Sequence, residues 1–391
     1  MIDVQEARAT LMRHVRAVPA EVAPLSGAVG RFLYADVVAT DAFPRFDMSA
    51  VDGYAVGSGP GPWRRIGTVA AGDLLDRPIG ADECARIFTG ACVPEGAAAV
   101  LMQERCDEAA GQVSTLVGTP TPGANIRRRA EGYRQGDLLM HRGERLDPAA
   151  IGLLASSGIR SVTVARRPRV AVVRTGGEFI TVDGIAEGRI HSSNEVMLQA
   201  ALLEVGVPMA SPPITVEDDR DRLCEALRTA CAGADLVLTT GGASVGEHDL
   251  LRPVLEQLGA TLHFHGVRQK PGKPMLFATL DGTPVIGLPG NPRAVLVLFE
   301  VYVRGFLRAL QGARHPGPAE ELLPLAGSVE RKGERDEFRA ASVRDGRVEL
   351  LPDEGSHLLG GLVGGAVLCH LEAARTRLNS GDRVRVIRPL P

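Results

Sequence analysis

The spacing of apolar residues divides the first half of the chain into a helical beginning, a β-rich middle and a second helical stretch. Residues 3–16 carry apolar side chains at helical intervals, which predicts a first helix. From about Gly53 to Glu144, short β-like runs are separated by glycines, as in a small β-rich domain. Residues Asp147–Ser157 return to a helical pattern, with Asp147 as the N-cap and Pro148 at the first helical position.

Strand and helix patterns alternate from Arg169 onward. Apolar runs at Val170–Val173, Leu236–Thr240 and Val285–Leu288 predict strands that are buried on both faces. Helical patterns lie between and after these strands, at 193–205, Asp219–Cys231, Asp249–Leu258 and 291–310. Such alternation predicts a three-layer α/β domain with a mainly parallel sheet.

After Pro316 the pattern is all β. The runs Phe338–Val343 and Arg347–Leu351 flank Asp345-Gly346, a two-residue hairpin signal, and further strands are expected at Val367–Leu371 and Arg383–Ile387. We therefore expect a multidomain α/β plus β chain. Its predicted parts are a helical, mixed N-terminal domain in 1–45 and 135–167, an inserted β-rich domain in 46–134, the α/β domain in 168–314, and a small barrel-like β domain in 315–391.

Composition and charge exclude several classes of function. The net charge is −3 and aromatic residues make up 4% of the chain, which argues against a nucleic-acid-binding surface. No apolar run reaches the roughly 18 residues of a membrane span, and the polar N-terminus is unlike a signal peptide. The six cysteines form no C-x-x-C pair that would indicate zinc or redox chemistry. We expect a cytoplasmic protein that acts on small molecules, without nucleic acid or membrane as partners.

Three glycine-containing loops leave the predicted carboxyl ends of parallel strands, where α/β proteins bind their ligands. They are Thr175–Glu178, Thr239–Asp249 and Leu288–Pro292. Glycines allow backbone amides to converge on an anion, and a helix N-terminus adds partial positive charge. Each loop taken alone is equally a tight strand-to-helix connection. Neither G-x-G-x-x-G nor the P-loop pattern is present, so a dinucleotide site and a P-loop kinase have no support.

Charged residues near these loops indicate an anionic ligand with a divalent metal. Lys270 and Lys273 lie in a turn that two prolines and a glycine restrain, and lysine is a point charge suited to phosphate or a tetrahedral oxyanion. A solvated surface loop is the alternative. The carboxylates Glu178, Asp218 and Asp249 lie at the ends or starts of predicted elements on what we expect to be the same edge, and oxygen ligands without histidine or cysteine favour Mg²⁺. Asp219 is interpreted as a helix N-cap, which leaves Asp218 as the freer ligand.

Several stretches together resemble the molybdopterin molybdenumtransferase family, called MoeA in bacteria, and the E domain of gephyrin. They occur in the family's order and extend over most of the chain. They are Ser49–Val56, Arg86–Glu104, Asn125–Arg129, Thr175–Glu178, Thr240–Asp249, Lys270–Pro274 and Leu288–Pro292. The resemblance implies four domains with a molybdopterin-binding α/β part. It also implies an elongated homodimer whose site lies between the α/β domain of one subunit and the inserted domain of the other.

The activity that the resemblance implies is Mg²⁺-dependent insertion of molybdate into adenylylated molybdopterin, with release of AMP. Partners would be a molybdopterin adenylyltransferase and the recipient molybdoenzymes. The implied catalytic positions are Asp52, Thr89, Glu178, Asp218, Asp249, Lys270 and Lys273, with Glu178, Asp218 and Asp249 as the magnesium ligands. The implied substrate-binding positions are Thr175, Gly176, Gly241, Gly242, Ser244, Gly246, Pro289, Gly290, Asn291, Pro292, Arg335 and Arg339.

The chain departs from the family pattern at a few positions. Gly132 replaces an acidic residue, Ala294 a serine, and Gly360-Gly361 a pair of serines; Ala98 and Val51 also differ. The lost hydroxyls are consistent with weaker molybdate binding, with another oxyanion such as tungstate, or with a divergent paralogue. The alternative function is therefore a non-catalytic carrier or scaffold that binds molybdopterin or its nucleotide.

Overall fold

The structure is a computed structural model, and it describes residues 1–177, 189–209, 211–242, 250–352 and 358–388. The helices are α1 Val4–Arg13, α2 Pro148–Ser156, α3 Asn194–Glu204, α4 Arg220–Gly233, α5 Leu251–Gln257, α6 Pro292–Leu298 and α7 Arg304–Leu310, and a π-helical turn, Phe299–Val303, joins the last two. The strands are numbered β1–β26 in chain order. Within the described residues, no helix is both long and apolar enough to cross a membrane.

The N-terminal part of the chain contains a six-stranded mixed sheet in the order β7-β4-β6-β5-β9-β8, in which β5 and β6 are parallel and the other neighbours antiparallel. The only tryptophan of the chain, Trp63, is the first residue of β5 and is fully buried. Asp147 caps α2 by accepting a hydrogen bond from the Ala150 amide at 2.7 Å, which confirms the predicted cap. The strands of this part are β1 Ala20–Pro24, β2 Val37–Val38, β3 Met48–Ser49, β4 Gly53–Val56, β5 Trp63–Val69, β6 Glu83–Ile87, β7 Ala99–Met102, β8 Cys106–Ala109, β9 Gln112–Thr115, β10 Ile126–Arg127, β11 Leu138–Met140 and β12 Ser161–Ala165.

A second six-stranded sheet forms the centre of the molecule, in the order β14-β13-β15-β19-β18-β16. Its strands are β13 Val170–Thr175, β14 Ile214–Val216, β15 Leu236–Thr240, β16 Thr261–His265, β18 Leu276–Leu280 and β19 Thr283–Leu288; β17, Gln269–Lys270, lies outside it. The first four strands are parallel, whereas β18 is antiparallel to both β19 and β16. The predicted strand Leu236–Thr240 is confirmed, while β16 and β18 were not predicted.

Helices cover both faces of the central sheet because successive strand residues point to opposite sides. Val172, Leu238 and Ile286 pack with α1, α3, α6 and α7 on one face. Val173, Val237 and Val285 pack with α4 and α5 on the other. The predicted helix over 291–310 is present, but the π-helical turn interrupts its α-helical hydrogen bonding.

The C-terminal part is a β structure that takes in one strand from the centre of the chain. Its main sheet has the order β17-β22-β24-β26-β20, with β23 paired to β22, so the short β17 joins this sheet by parallel pairing with β22. Asp345 and Gly346 have φ values of 49° and 71°, which confirms the predicted hairpin. The remaining strands are β20 Glu320–Pro324, β21 Val329–Glu330, β22 Asp336–Arg344, β23 Arg347–Leu350, β24 Val367–Leu371, β25 Arg377–Leu378 and β26 Arg383–Ile387. The domain boundaries given above stay a prediction.

Candidate functional site

Three loops that follow parallel strands of the central sheet approach one another closely. Gly241 has φ +87°, and a Cβ atom added to it would lie 2.4 Å from the carbonyl oxygen of Thr175. A Cβ atom added to Gly290 would lie 3.8 Å from the Cα atom of Gly241. The loops after β13, β15 and β19 are therefore in contact, and at Gly241 both the backbone conformation and the space require glycine. Thr175, Gly176, Gly241, Gly242, Pro289 and Gly290 are all in this region.

Asn194, which sequence reasoning assigned only to a helix start, holds two of these loops together. Its side chain is buried, and its Nδ2 atom donates hydrogen bonds of 2.8 Å to Thr240 Oγ1 and to the Gly290 carbonyl. Thr240 Oγ1 also lies 3.2 Å from the Pro289 carbonyl, to which it donates. In the described part of the chain, Asn194 Oδ1 and Thr175 Oγ1 are buried without a hydrogen-bond partner. Both buried oxygen atoms therefore lie next to these loops without a partner among the described residues.

A cavity of about 660 Å³ adjoins the first loop. Gly176 and Gly177 form part of its wall, together with three arginines, Arg174, Arg189 and Arg222, and two acidic residues, Glu217 and Glu225. Its volume is in the range of sites for small organic ligands. Sequence reasoning missed these arginines. Two of them could have been noticed in the sequence, because Arg174 directly precedes Thr175 at a strand end and Arg222 lies in the first turn of a predicted helix.

Only one of the three predicted magnesium ligands belongs to the described residues. Asp218 is exposed, two residues after the end of β14. Asp219 caps α4 by accepting from the Arg222 amide at 2.8 Å, so the interpretation of Asp219 as a cap is confirmed. Glu178, Ser244, Gly246 and Asp249 lie outside the described residues. Among the residues that the structure describes, no group of three acidic, histidine or cysteine side chains is arranged to hold a metal.

The loop Lys270–Pro274, called the lysine loop from here on, is held in place by two buried polar side chains, Gln269 and Tyr302. Gln269 is fully buried, and its Nε2 atom donates to the Gly272 carbonyl at 3.2 Å. The hydroxyl of Tyr302, in the π-helical turn, donates to Gln269 Oε1. Gly272 has φ +84°, and an added Cβ would meet the side chain of Leu298 at 2.8 Å. Lys270 and Lys273 are thus exposed side chains on a fixed backbone.

Pairing of β17 with β22 brings the lysine loop beside the predicted C-terminal arginines. Lys270 pairs with Glu337, which is on the same face of β22 as Arg339, and Arg335 directly precedes this strand. Nearby, Asp336 accepts hydrogen bonds from His370 and from the Ala373 amide. Burial works to raise the pKa of Asp336, but these hydrogen bonds and the charge of Arg331 outweigh it, so the pKa is lowered and Asp336 stays ionised.

Asp52 and Thr89, two of the catalytic positions that the family resemblance implies, are in contact with each other. The amide and the hydroxyl of Thr89 donate to Asp52 Oδ1 at 2.7 and 2.8 Å. The hydrogen bond from the Thr89 amide, followed by that from its hydroxyl, lowers the pKa of Asp52, so the exposed carboxylate is ionised at neutral pH. Within the described parts of the chain, no hydrogen bond or ion pair joins this pair to the loops of the central sheet.

The third loop begins a helix, and two of its predicted ligands have structural roles there. Asn291 caps α6 by accepting from the Ala294 amide at 3.5 Å, and Pro292 occupies the first helical position. Ala294 itself is buried.

Two other positions that depart from the family pattern are glycines in different parts of the chain. At Gly132, an added Cβ would lie 3.1 Å from the Phe43 carbonyl, so a larger residue would crowd the backbone there. Gly360 starts a short 3-10 helix.

The anchoring of the lysine loop gives a prediction for Tyr302. Replacing Tyr302 with phenylalanine keeps its volume but leaves the buried Gln269 Oε1 without its donor, so we expect a loss of about 1–2 kcal/mol in the free energy of unfolding. Burial raises the pKa of Tyr302, so the hydroxyl remains a donor across the accessible pH range. Urea unfolding curves of the variant and the wild type test this. An unchanged midpoint would show that the hydrogen bond contributes nothing to the loop.

Comparison with known proteins gives two consecutive family matches along the chain. Residues 2–158 match the MoeA N-terminal region (domain I and II), and residues 171–309 match the probable molybdopterin binding domain. The chain is 35% identical over 388 residues to a molybdopterin molybdenumtransferase of a Nostoc species, covering 94% of this chain and 88% of the relative. It is 33% identical over 322 residues to one of Staphylococcus aureus, covering 80% of this chain and 76% of the relative.

Solved structures resemble the whole chain. A structure titled molybdopterin biosynthesis moeA protein, from Pyrococcus horikoshii OT3, superimposes with a TM-score of 0.83 at 27% sequence identity. It covers 99% of this chain and 100% of its own. A second structure of a moeA protein from Pyrococcus horikosii has a TM-score of 0.79 and covers 100% of both chains. The similarity therefore extends over the fold from end to end.

Proposed function

The chain belongs to the MoeA family of molybdopterin molybdenumtransferases, enzymes of molybdenum cofactor biosynthesis, and we propose that it inserts molybdate into adenylylated molybdopterin with Mg²⁺ bound and AMP released. We propose further that the reaction takes place in the cytoplasm. A molybdopterin adenylyltransferase would supply the substrate, and molybdoenzymes would receive the product. The four-part domain division and the helical, inserted, α/β and C-terminal β character of its parts belong to the same proposal.

One topological observation carries the proposal: the lysine loop and the glycine loops leave the same edge of the central sheet. β16 is antiparallel to β18, and β18 is antiparallel to β19, so β16 has the direction of β19 and of the parallel strands. Its carboxyl end therefore lies at the edge from which the loops after β13, β15 and β19 leave. Lys270 follows that end by five residues. An anion between these loops would meet backbone amides from one side and ammonium groups from the other.

The lysines suit molybdate. The chain has 44 cationic residues, and only three of them are lysines: Lys270, Lys273 and Lys332. Two of the three are therefore in this loop, in a chain that uses arginine elsewhere. A compact ammonium group binds a small tetrahedral dianion as a point charge, whereas a guanidinium presents a planar fork. Lys270 and Lys273 would hold molybdate beside the pterin dithiolene, and Arg335 and Arg339 would add positive charge next to them.

The three carboxylates that the family resemblance assigns to Mg²⁺ have donor atoms that suit this ion. Glu178, Asp218 and Asp249 each follow a strand of the parallel part, and all supply oxygen, which Mg²⁺ prefers. When bound, Mg²⁺ would neutralise phosphate charge and polarise the phosphoanhydride. The Thr175 hydroxyl, which can donate a hydrogen bond, and the backbone amides of the glycine loops would bind the phosphate end of the substrate. The 660 Å³ cavity with Arg174, Arg189 and Arg222 would take the bulk of the nucleotide substrate.

Asp52 and Thr89 would complete the site from a second subunit. Thr89 keeps Asp52 ionised and fixes its orientation, which suits a residue that positions a substrate group or accepts a proton. Among the described residues their hydrogen bonds do not reach the loops of the central sheet, which accords with a homodimer in which the inserted domain of one subunit faces the α/β domain of the other. The two halves of the site would then be far apart within one chain.

AMP release from adenylylated molybdopterin tests the proposal. We expect release that requires both Mg²⁺ and molybdate, together with formation of the metallated cofactor. Tungstate in place of molybdate shows whether the missing hydroxyls at Ala294 and Gly360-Gly361 have changed the oxyanion preference. Tight binding of the nucleotide without AMP release would contradict the transferase and would favour the carrier function.

A further inference from the structure

A second basic cavity lies at the far end of the long helical run from the site described above. Its volume is about 300 Å³, and it lies where the segment around Gly143 meets the end of α7. It is lined by Phe32, Gly143, Glu144, Arg145, Arg308, Arg314 and His315. Three guanidinium groups and an imidazole therefore surround one carboxylate, in a chain whose net charge is −3. The positive charge of this cavity is local and does not follow from composition.

The walls of the cavity are fixed relative to each other. The Arg314 amide donates to the Gly143 carbonyl at 2.9 Å. Gly143 has φ +79°, and a Cβ added to it would lie 2.6 Å from the Gly312 carbonyl oxygen. The backbone after α7 thus packs directly on the Gly143 turn. Phe32, which is 7% exposed, supplies an apolar surface at this junction.

The positive charges in the cavity are poorly compensated by the protein. Burial, followed by repulsion from Arg304 and Arg145, lowers the pKa of Arg308, and Glu300 offsets this only in part. Glu144, the acid in the lining, accepts from the His141 amide and is 3.9 Å from Arg314. The α7 dipole explains Arg308 in the last turn but not Arg145, which comes from another segment.

Two of the basic side chains have no partner within the described residues. No hydrogen bond or ion pair of the described chain involves the Arg145 guanidinium or the His315 ring. Several exposed arginines in this chain have an acid close by, as Arg77 has Glu83 and Arg222 has Glu217. A group of four basic side chains with a single carboxylate among them, in a concave site with fixed walls, is arranged to bind an anion.

We propose that this cavity is a binding site for a phosphate group, carried either by inorganic phosphate or by a small phosphate monoester. Guanidinium groups from two segments match the oxygens of a phosphate dianion, and Phe32 would contact an organic substituent. The site is distinct from the proposed transferase site. The helical run from Pro292 to Leu310 separates them, and at 1.5 Å per residue this is a distance of about 27 Å.

Calorimetric titration with inorganic phosphate tests the proposal in the Lys270→Ala variant, where the proposed molybdate site is disabled. We expect one phosphate-binding event per chain to remain. Adding Arg145→Gln and Arg314→Gln to this variant should weaken it at least about tenfold, because both guanidinium groups donate charge-assisted hydrogen bonds. Both positions are exposed, so the fold should be kept. Because binding is measured without turnover, the result does not depend on the transferase proposal.

A charge-matched control separates a site from general electrostatics. Arg142→Gln with Arg344→Gln removes two exposed arginines that do not line the cavity and should leave phosphate binding unchanged. A parallel titration with AMP, with and without Arg145→Gln and Arg314→Gln, identifies the source of the phosphate: AMP binding that is tighter than phosphate binding and that these two substitutions weaken indicates a monoester. The proposal is overturned if the Lys270→Ala variant binds neither ligand, or if the cavity variant binds as tightly as the control.

Discussion

Replacing Lys270 with alanine should reduce molybdate-dependent AMP release by about 10²–10³-fold, the effect of removing one charged group from a preorganised oxyanion site. The side chain is exposed on a backbone that Gln269 and Tyr302 anchor, so the free energy of unfolding should change by less than about 0.5 kcal/mol. Lys270→Arg keeps the charge but replaces a point charge by a planar fork, and we expect it to restore little of the activity. Steady-state rates and unfolding curves of both variants measure these effects.

The scarcity of lysine provides a direct readout of binding as well. Reductive methylation with ¹³C labels only Lys270, Lys273, Lys332 and the N-terminal amine, so the NMR spectrum of the methyl groups contains few signals. Molybdate should shift the signals of the two loop lysines and leave that of Lys332 in place. Lys332→Ala is the matched control for activity. Full activity of Lys270→Ala, or a spectrum that molybdate does not change, would refute the assignment of this loop.

Two inactive variants should restore activity to each other when their subunits are mixed. Asp52→Asn can still accept both hydrogen bonds from Thr89, so it should fold normally while losing the carboxylate charge. If each site combines Asp52 of one subunit with Lys270 of the other, a heterodimer of Asp52→Asn and Lys270→Ala has one intact site. Random pairing makes half of the dimers heterodimers, which gives about a quarter of the wild-type activity.

Mixing requires subunit exchange, which differently tagged subunits expressed together ensure. Purification through both tags isolates the heterodimer, whose activity should be about half that of the wild type. Each variant mixed with itself is the control and should remain inactive. A heterodimer without activity would show that Asp52 and Lys270 act within one subunit, or that one of them is not in the site. A monomer in solution would contradict the shared site directly.

Local features of the fold could be predicted because short-range interactions determine them. Asp147 and Asp219 cap helices through their own neighbours three residues ahead, and Asp345-Gly346 forms a hairpin because its two residues accept positive φ. The strand Leu236–Thr240 is apolar throughout because both faces are covered. By contrast, β16 and β18 were missed, since their antiparallel pairing depends on residues elsewhere in the chain.

The sequence by itself determined the kinds of elements, the glycine loops, the lysine loop and the family to which the chain belongs. Each of these features depends on short stretches of neighbouring residues. Only the tertiary structure showed that Asn194 links two loops, that Tyr302 supports the lysine loop and that Lys270 pairs beside Glu337. It alone brought Arg145 to Arg308 and Arg314. These contacts join residues that are distant along the chain, and their geometry follows from how the sheets and helices pack, which no local pattern encodes.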